Sequence, residues 1–317
     1  MKKIRTAVIG VGYLGRLHAQ KYASIPDMVE LVGVCDADPA RARAVASECA
    51  TAAFPSHESF FGRVDAVSVV TPTENHHRIA LEMLSRGIDV LVEKPISVTE
   101  AEADELIREA GKKKAVLQVG HLERFNAAVA ALEGCVKTPK RFEADRLTPF
   151  PNRATDVDVI LDLMIHDLDI ILNLASSEIE SIEAFGMPVV TDKTDYATAG
   201  IRFKNGCTAQ ITASRVSKDK VRRLRVYQDR EYITVDCANQ RMFVTRGAGP
   251  SALTEEEIQI VKSDSLLEEL NAFIRSCASR TAPLVSGEDG LRALQAAVRV
   301  QQAVASSVMG FSAGRPR

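Results

Sequence analysis

Three stretches of this 317-residue chain hold side chains whose types and spacing could do chemistry. In "VILDLMIHDLDIILNL" (159–174), Asp162 and His166 stand four residues apart in a run that is otherwise mostly apolar. On a helix that spacing places them one turn apart on one face. A histidine can take a hydroxyl proton near neutral pH, and a carboxylate one turn away can orient it and stabilise its charged form. Asp158, Asp169 and Asn173 extend the same polar stripe. Burying such a stripe without partners is costly, so it should face a cavity, a metal or another polar group. In "GIDVLVEKPISV" (87–98), a strand-like run drives into Glu93-Lys94-Pro95. An ammonium at a strand end can stabilise negative charge developing on an oxygen.

The third stretch, "VIGVGYLGRLHA" (8–19), spaces Gly10, Gly12 and Gly15 as G-x-G-x-x-G between a strand and a helix. Such a turn lets a pyrophosphate approach the backbone at a helix N-terminus, where N–H donors and the helix dipole favour an anion. Asp36 ends the next strand about 20 residues later, where an acid binds the adenosine ribose diol. A carboxylate there repels a 2′-phosphate and favours NAD over NADP.

Blander uses fit the same residues. Asp162 and His166 could form a hydrogen-bonded pair inside an interface. With Asp169 they could ligate a metal in a hydrolase, but no further histidine cluster on that element supports this, and no metal site is expected. The glycines could serve helix packing alone, with Asp36 in an exposed turn, and Lys94 could be a solvated loop charge.

The elements that must position these groups alternate early in the chain. "IRTAVIG", "VELVGVCD", "VDAVSVVTP", "IDVLVEKP" and "AVLQVGH" read as near-continuous apolar strands, with helical patterns between them. This spacing predicts a parallel sheet covered on both faces, doubly wound, over residues 1–121. Thr99 and Glu102 form a capping box for the helix that follows the Lys94 segment. From 122 to 317 the pattern changes to helices at about 123–133 and 156–175, a strand at 141–147, then period-two runs. Lys204-Asn205-Gly206 marks a hairpin turn, and helices at 264–278 and 287–308 close the chain. The expected fold is therefore a doubly wound α/β domain plus an α+β domain on an open, mostly antiparallel sheet.

Composition narrows the function. Charged residues make up 26%, and the net charge of −2 argues against nucleic acid or an anionic membrane as the main partner. No stretch is long enough to cross a bilayer and no cleavage site follows the basic N-terminus, so the cytoplasm is expected. Six scattered cysteines read as reduced thiols packed in cores. His57 and His77 read as surface residues, and His18 as packing.

Taken together, "GVGYLG", "VTPTENHHRIA", "VEKPIS", "VGHLERFN" and "LDLMIHDLDII" resemble the Gfo/Idh/MocA family of NAD(P)-dependent oxidoreductases. Glu-Lys-Pro after the fifth strand, combined with D-x-x-x-H on a later helix, is the specific part. The resemblance implies that Lys94 and His166 lie beside the nicotinamide and the reacting carbinol, with Asp162 contacting substrate or base. It implies a cofactor lining from Gly10, Gly12, Tyr13, Leu14, Gly15, Asp36, Thr71, Pro72, Thr73, His76, Glu93, Lys94, Pro95 and Arg124, with a cis peptide before Pro95. It also implies that the α/β domain is a Rossmann domain, and that a homodimer or homotetramer forms through the open sheet.

Within the family, "GHLERFN" and "DLMIHDLDI" look most like the branch acting on nucleotide-activated sugars, especially the UDP-N-acetylglucosamine 3-dehydrogenases, which make a 3-keto sugar. His121, Arg124, Arg153, Asp162, His166 and Arg215 are the candidate substrate contacts, and the basic residues around 215–223 could clamp a diphosphate. The expectation is an NAD-dependent dehydrogenase of a nucleotide sugar. Alternatives are a dehydrogenase of a free sugar, polyol or cyclitol, and a non-catalytic NAD-binding regulator.

Overall fold

The computed structural model describes residues 3–150, 157–247 and 253–313, and the chain forms two compact units. The first begins β1 (Ile4–Ile9), α1 (Tyr13–Ala23), β2 (Val29–Cys35), α2 (Pro39–Glu48), β3 (Ala52–Phe54), β4 (Ala66–Val69), α3 (His76–Ser85), β5 (Asp89–Glu93), α4 (Glu100–Lys113) and β6 (Leu117–Gly120). Its six strands run parallel in the order β3-β2-β1-β4-β5-β6. The order reverses between β1 and β4, and the crevice at the carboxyl ends of these strands is where an open α/β sheet binds ligands. β4 and β5 are buried at every position, as two helix-covered faces require. The expected capping box is present: Thr99 Oγ1 accepts from the Glu102 N–H, and the Glu102 carboxylate accepts from the Thr99 N–H.

The second unit follows a 3-10 turn at Leu122–Phe125 and contains α5 (Ala127–Glu133), β7 (Arg141–Leu147), a π-helical turn at Ile160–Met164, and α6 (Ile165–Ala175). Then come β8 (Ile179–Met187), β9 (Tyr196–Phe203), β10 (Thr208–Ser214), β11 (Val221–Gln228), β12 (Glu231–Asp236), β13 (Arg241–Gly247) and β14 (Leu253–Ile258). All eight strands join one sheet, antiparallel except where β7 lies parallel to β10. α5, α6 and the later part of a final helix bury one face in a single apolar core. On the other face Glu143, Asp145, Arg223, Arg225 and Tyr227 stay partly exposed, linked by charge pairs and hydrogen bonds. The turn at 204–206 is where the sequence places it, with Gly206 at φ +86.

The division of the chain differs from a single cut at 121. Residues up to Leu122 are joined by Asp264–Leu291, and the second unit comprises 123–263 and 292–317. The cause is α7 (Ser265–Ser279), whose Leu266, Leu270, Phe273 and Ile274 share a core with Val8, Val11, Tyr22 and Val34. α8 (Gly287–Ala313) follows, and the boundary at 291/292 falls within it. No described helix is long and apolar enough to cross a membrane.

Candidate active site

In the first unit, the glycine turn joins β1 to α1. Gly10 has φ +84, a backbone state that disfavours a side chain, and a Cβ on it would lie 2.6 Å from the Val70 carbonyl oxygen. A Cβ on Gly15 would lie 1.9 Å from the Gly10 oxygen, so α1 packs directly on the turn. A Cβ on Gly12 would meet nothing within 4 Å. This residue, the N-cap of α1, faces open space with no side-chain cap and no acid in the first turn. An anion would find both room and unfilled N–H donors there.

Asp36 is held against this turn. Its Oδ2 accepts from the Val11 N–H at 2.8 Å, its Oδ1 accepts from the Asp38 N–H at 2.8 Å, and Arg41 approaches it at 3.3 Å. Across the switch point, Thr71, Pro72 and Thr73 follow β4, and the Thr71 hydroxyl oxygen is buried without a hydrogen-bond partner. Tyr13 is 69% exposed at the start of α1, and Leu14 is half-buried. This crevice fits a dinucleotide: an open glycine turn, an acid anchored beside it and an orphaned hydroxyl opposite.

Lys94 is half-buried at the end of β5, and the Lys94–Pro95 peptide is cis. The turn is tied on both sides. Glu93 Oε2 accepts from the Lys94 N–H at 3.3 Å. His76, 1% exposed, puts Nδ1 2.8 Å from the Pro95 oxygen and Nε2 2.8 Å from the Thr71 oxygen. Burial pushes the His76 pKa down, against the pull of these two carbonyls. His76 therefore joins two loops of the crevice, the one after β4 and the one after β5.

The second unit holds the polar stripe. Asp158 accepts from the Ile160 and Leu161 N–H groups at 3.0 Å each and from Gln301 Nε2 at 2.7 Å, so it caps the π-helical turn. Asn173 donates to Glu133 at 3.0 Å, and Asp169, 3% exposed, lies 3.5 Å from Arg124. Asp162 and His166, both half-buried, lie between Asp158 and Asp169 along the chain. Asp162 lies in the π-helical turn and His166 in the first turn of α6, so the chain widens between the two. Such single π turns recur at functional sites.

Other candidates are placed differently. Arg215 is fully buried: its Nε donates to Asp195 at 2.7 Å and its guanidinium donates to the Val157 oxygen at 2.7 Å and Thr191 Oγ1 at 3.1 Å. It fixes the 189–195 turn and offers no surface to a substrate. Arg124, 4% exposed, faces Asp169 and Glu133 and is likewise held inside its unit. His121 is 1% exposed. Lys218 and Lys220 are exposed, whereas Arg222 and Arg223 pair with Glu123 and Asp145. Arg153 lies outside the described residues. His57 is buried beside Glu82, not a surface residue, and His77 is partly exposed beside Glu105.

Two buried clusters were not anticipated. Arg146 donates to both Asp167 oxygens, at 2.8 and 2.9 Å, and to Glu123 at 2.9 Å. Burial would raise the Glu123 carboxyl, but Arg146 and Arg222 hold it below its ordinary value. The signal for this cluster was Asp167 itself, a charge next to His166 but off the polar stripe on an apolar helix. The other cluster, in the first unit, is His18, Glu93 and Glu269. Among the described residues, two groups bring three potential ligand atoms within 4.8 Å of one another, this one and His57–Glu58–Glu82. Asp162, His166 and Asp169 are not among them.

Comparison with known proteins adds an independent line. Residues 4–121 match the family described as "Oxidoreductase family, NAD-binding Rossmann fold", and residues 129–234 match "GFO/IDH/MocA C-terminal domain". The chain is 41% identical over 310 residues to a UDP-N-acetylglucosamine 3-dehydrogenase of Acidithiobacillus ferrooxidans, covering 96% of this chain and 98% of that one. It is 28% identical to a myo-inositol 2-dehydrogenase of Thermotoga maritima, covering 92% and 93%. A solved structure of the Acidithiobacillus enzyme superposes with a TM-score of 0.91 at 40% identity, again covering 96% and 98%.

Proposed function

Because the chain belongs to the Gfo/Idh/MocA family of NAD-binding oxidoreductases, we propose that it oxidises a secondary hydroxyl of a nucleotide sugar. A UDP-N-acetylglucosamine-like substrate would give a 3-keto sugar. The observation that carries this reading is the 41% identity over nearly the whole of both chains to a dehydrogenase of that kind.

The residues have distinct tasks. Oxidising a carbinol requires loss of the hydroxyl proton as the C–H bond breaks, and stabilisation of the charge that develops on oxygen. The His166 imidazole takes the proton. Asp162, within the turn that precedes it, orients it and stabilises its charged form. The Lys94 ammonium stabilises the oxygen. NAD, when bound, accepts the hydride; Gly10–Gly15, Asp36 and the 71–73 loop hold it. Half-burial suits both Lys94 and His166, since charge interactions strengthen as water is excluded. The uncovered face of the eight-stranded sheet is the surface through which we expect a homodimer or homotetramer to assemble.

A screen of UDP-, GDP- and dTDP-sugars with NAD, read by NADH absorbance, tests the substrate class. Turnover with a UDP-sugar, inhibited competitively by UDP, is the expected result. Oxidation of free cyclitols with indifference to UDP would instead favour the activity of the 28%-identical inositol relative. Lys94→Ala and His166→Asn should each lower kcat by about 10²–10⁴-fold while NAD still binds. Unchanged turnover in either variant removes that residue from its role.

A further inference from the structure

The His18–Glu93–Glu269 cluster lies behind the residue that bears the catalytic ammonium. His18 comes from α1, Glu93 ends β5, and Glu269 comes from α7. His18 and Glu269 are fully buried and Glu93 is 8% exposed. His18 Nε2 lies 3.2 Å from Glu93 Oε1. No donor reaches either Glu269 carboxyl oxygen, although its backbone oxygen accepts from Gln118 Nε2 at 3.3 Å, and neither His18 nitrogen makes a hydrogen bond. The neighbouring strand makes room for the cluster, because a Cβ on Gly120 would lie 2.8 Å from the Glu93 carboxyl atoms.

Two carboxyls this close and this dry cannot both be ionised at low cost. Within the cluster, His18 is the one group able to carry positive charge, and it can balance one carboxylate. Glu93 lies nearer to His18 and also accepts from the Lys94 N–H, so it is the carboxyl with partners and Glu269 the one without. Burial, then the charge of Glu93, push the Glu269 pKa well up, in the same sense. Tyr22 on α1 and Cys277 on α7 are neutral companions, both driven up by burial, and Asp89 beside Cys277 is paired with Arg280. A neutral carboxylic acid is a proton donor where a carboxylate is an acceptor only.

We propose that Glu269 is a positioning residue that keeps its proton and turns it toward the Glu93 carboxylate, within 4.8 Å, while His18 stands beside that carboxylate as its counter-charge, and that the cluster thereby fixes the backbone that aims Lys94. With His76 holding the Pro95 oxygen from the other side, the turn is clamped between a buried acid–histidine cluster and a buried histidine. The kinetic part of this inference rests on the oxidoreductase reading of Lys94. The protonation part does not.

Infrared spectroscopy of the full-length protein at neutral pH tests the proton without any substrate. The wild type should show the carbonyl stretch of a protonated carboxyl, and Glu269→Gln should lose it. A missing band, or one retained in Glu269→Gln, overturns the assignment. So does a stoichiometric divalent metal in the purified protein that disappears in this variant.

Kinetics then test the positioning. Glu269→Gln, which keeps a donor, should stay within about twofold of wild type in kcat. Glu269→Leu, which has none, should lose about tenfold or more in kcat with little change in KM. If the leucine variant does not fold, the position is read from the glutamine variant against Glu269→Asp, whose shorter side chain withdraws the donor. Equal activity of donor and non-donor variants overturns the positioning role. The band without any sugar turnover would leave the neutral acid standing and discard the oxidoreductase reading instead.

Discussion

At the scale of single residues, the same chemical type serves opposite ends according to what surrounds it. Arg215 sat in a basic run and looked like a phosphate ligand, yet it is buried against Asp195. Burial would raise the Asp195 carboxyl, but N–H groups of Thr191, Val190 and Val189, with Arg215, hold it well below the usual carboxylate range. A carboxyl depressed in the folded state binds fewer protons there than in the unfolded chain. Its contribution is therefore intact above its unfolded pKa of about 3.9 and is lost as pH falls toward the folded value. The expected outcome is acid unfolding with a slope of up to ~1.4 kcal/mol per pH unit below that point. Arg215→Ala should cost about 3–5 kcal/mol by leaving Asp195 buried and unpaired. Denaturant melts of both proteins at pH 7 and pH 3.5 check this; a variant as stable as wild type at pH 7 would remove Arg215 from the turn. The strand end at Lys94 and the helical run that carries Asp162 and His166 could be read from the sequence because their patterns are local. Arg215 and Glu269 could not, because their partners are set by tertiary contacts that no spacing encodes.

At the scale of elements, the parallel strands and their helices could be read because buried strands are near-continuously apolar and helices carry caps. The short β3 and the acidic β14 escaped, since neither "AAF" nor "LTEEEI" carries a clear apolar alternation. The π-helical turn escaped as well, because side-chain spacing of four fits an α-turn and a slightly wider one equally. The glycine turn offers a test in which neighbouring substitutions should behave differently. Gly12→Ala adds a methyl to open space at φ −63, so the fold should melt within about 2 °C of wild type while NAD affinity falls about tenfold or more. Gly15→Ala drives a methyl into the Gly10 oxygen and must displace α1, so it should lower stability and binding together. Calorimetry of both variants decides; full NAD affinity in Gly12→Ala would move the pyrophosphate elsewhere.

At the scale of the whole molecule, each of the two units holds an apolar core of its own. The change of pattern near 121 was legible, but the return of the chain at 264 was not. The helix 265–279 is amphipathic like any closing helix, and nothing in its sequence states which core it joins. Phe273 is fully buried among first-unit residues, so Phe273→Ala should cost about 3–5 kcal/mol. A fragment of residues 1–122 should expose that surface and bind hydrophobic dye, and covalently joining 264–291 should restore a cooperative melt. A cooperative, dye-free 1–122 fragment would contradict this. The interruption also has a consequence in time. During synthesis the first unit cannot close until α7 leaves the ribosome, which requires residues 123–263 to be made first. At about 5–20 residues per second, the surface awaiting α7 stays uncovered for roughly 7–28 s. The nascent chain therefore carries an open hydrophobic patch for longer than a contiguous domain of the same size, and that interval is when it is most exposed to aggregation and to chaperone capture.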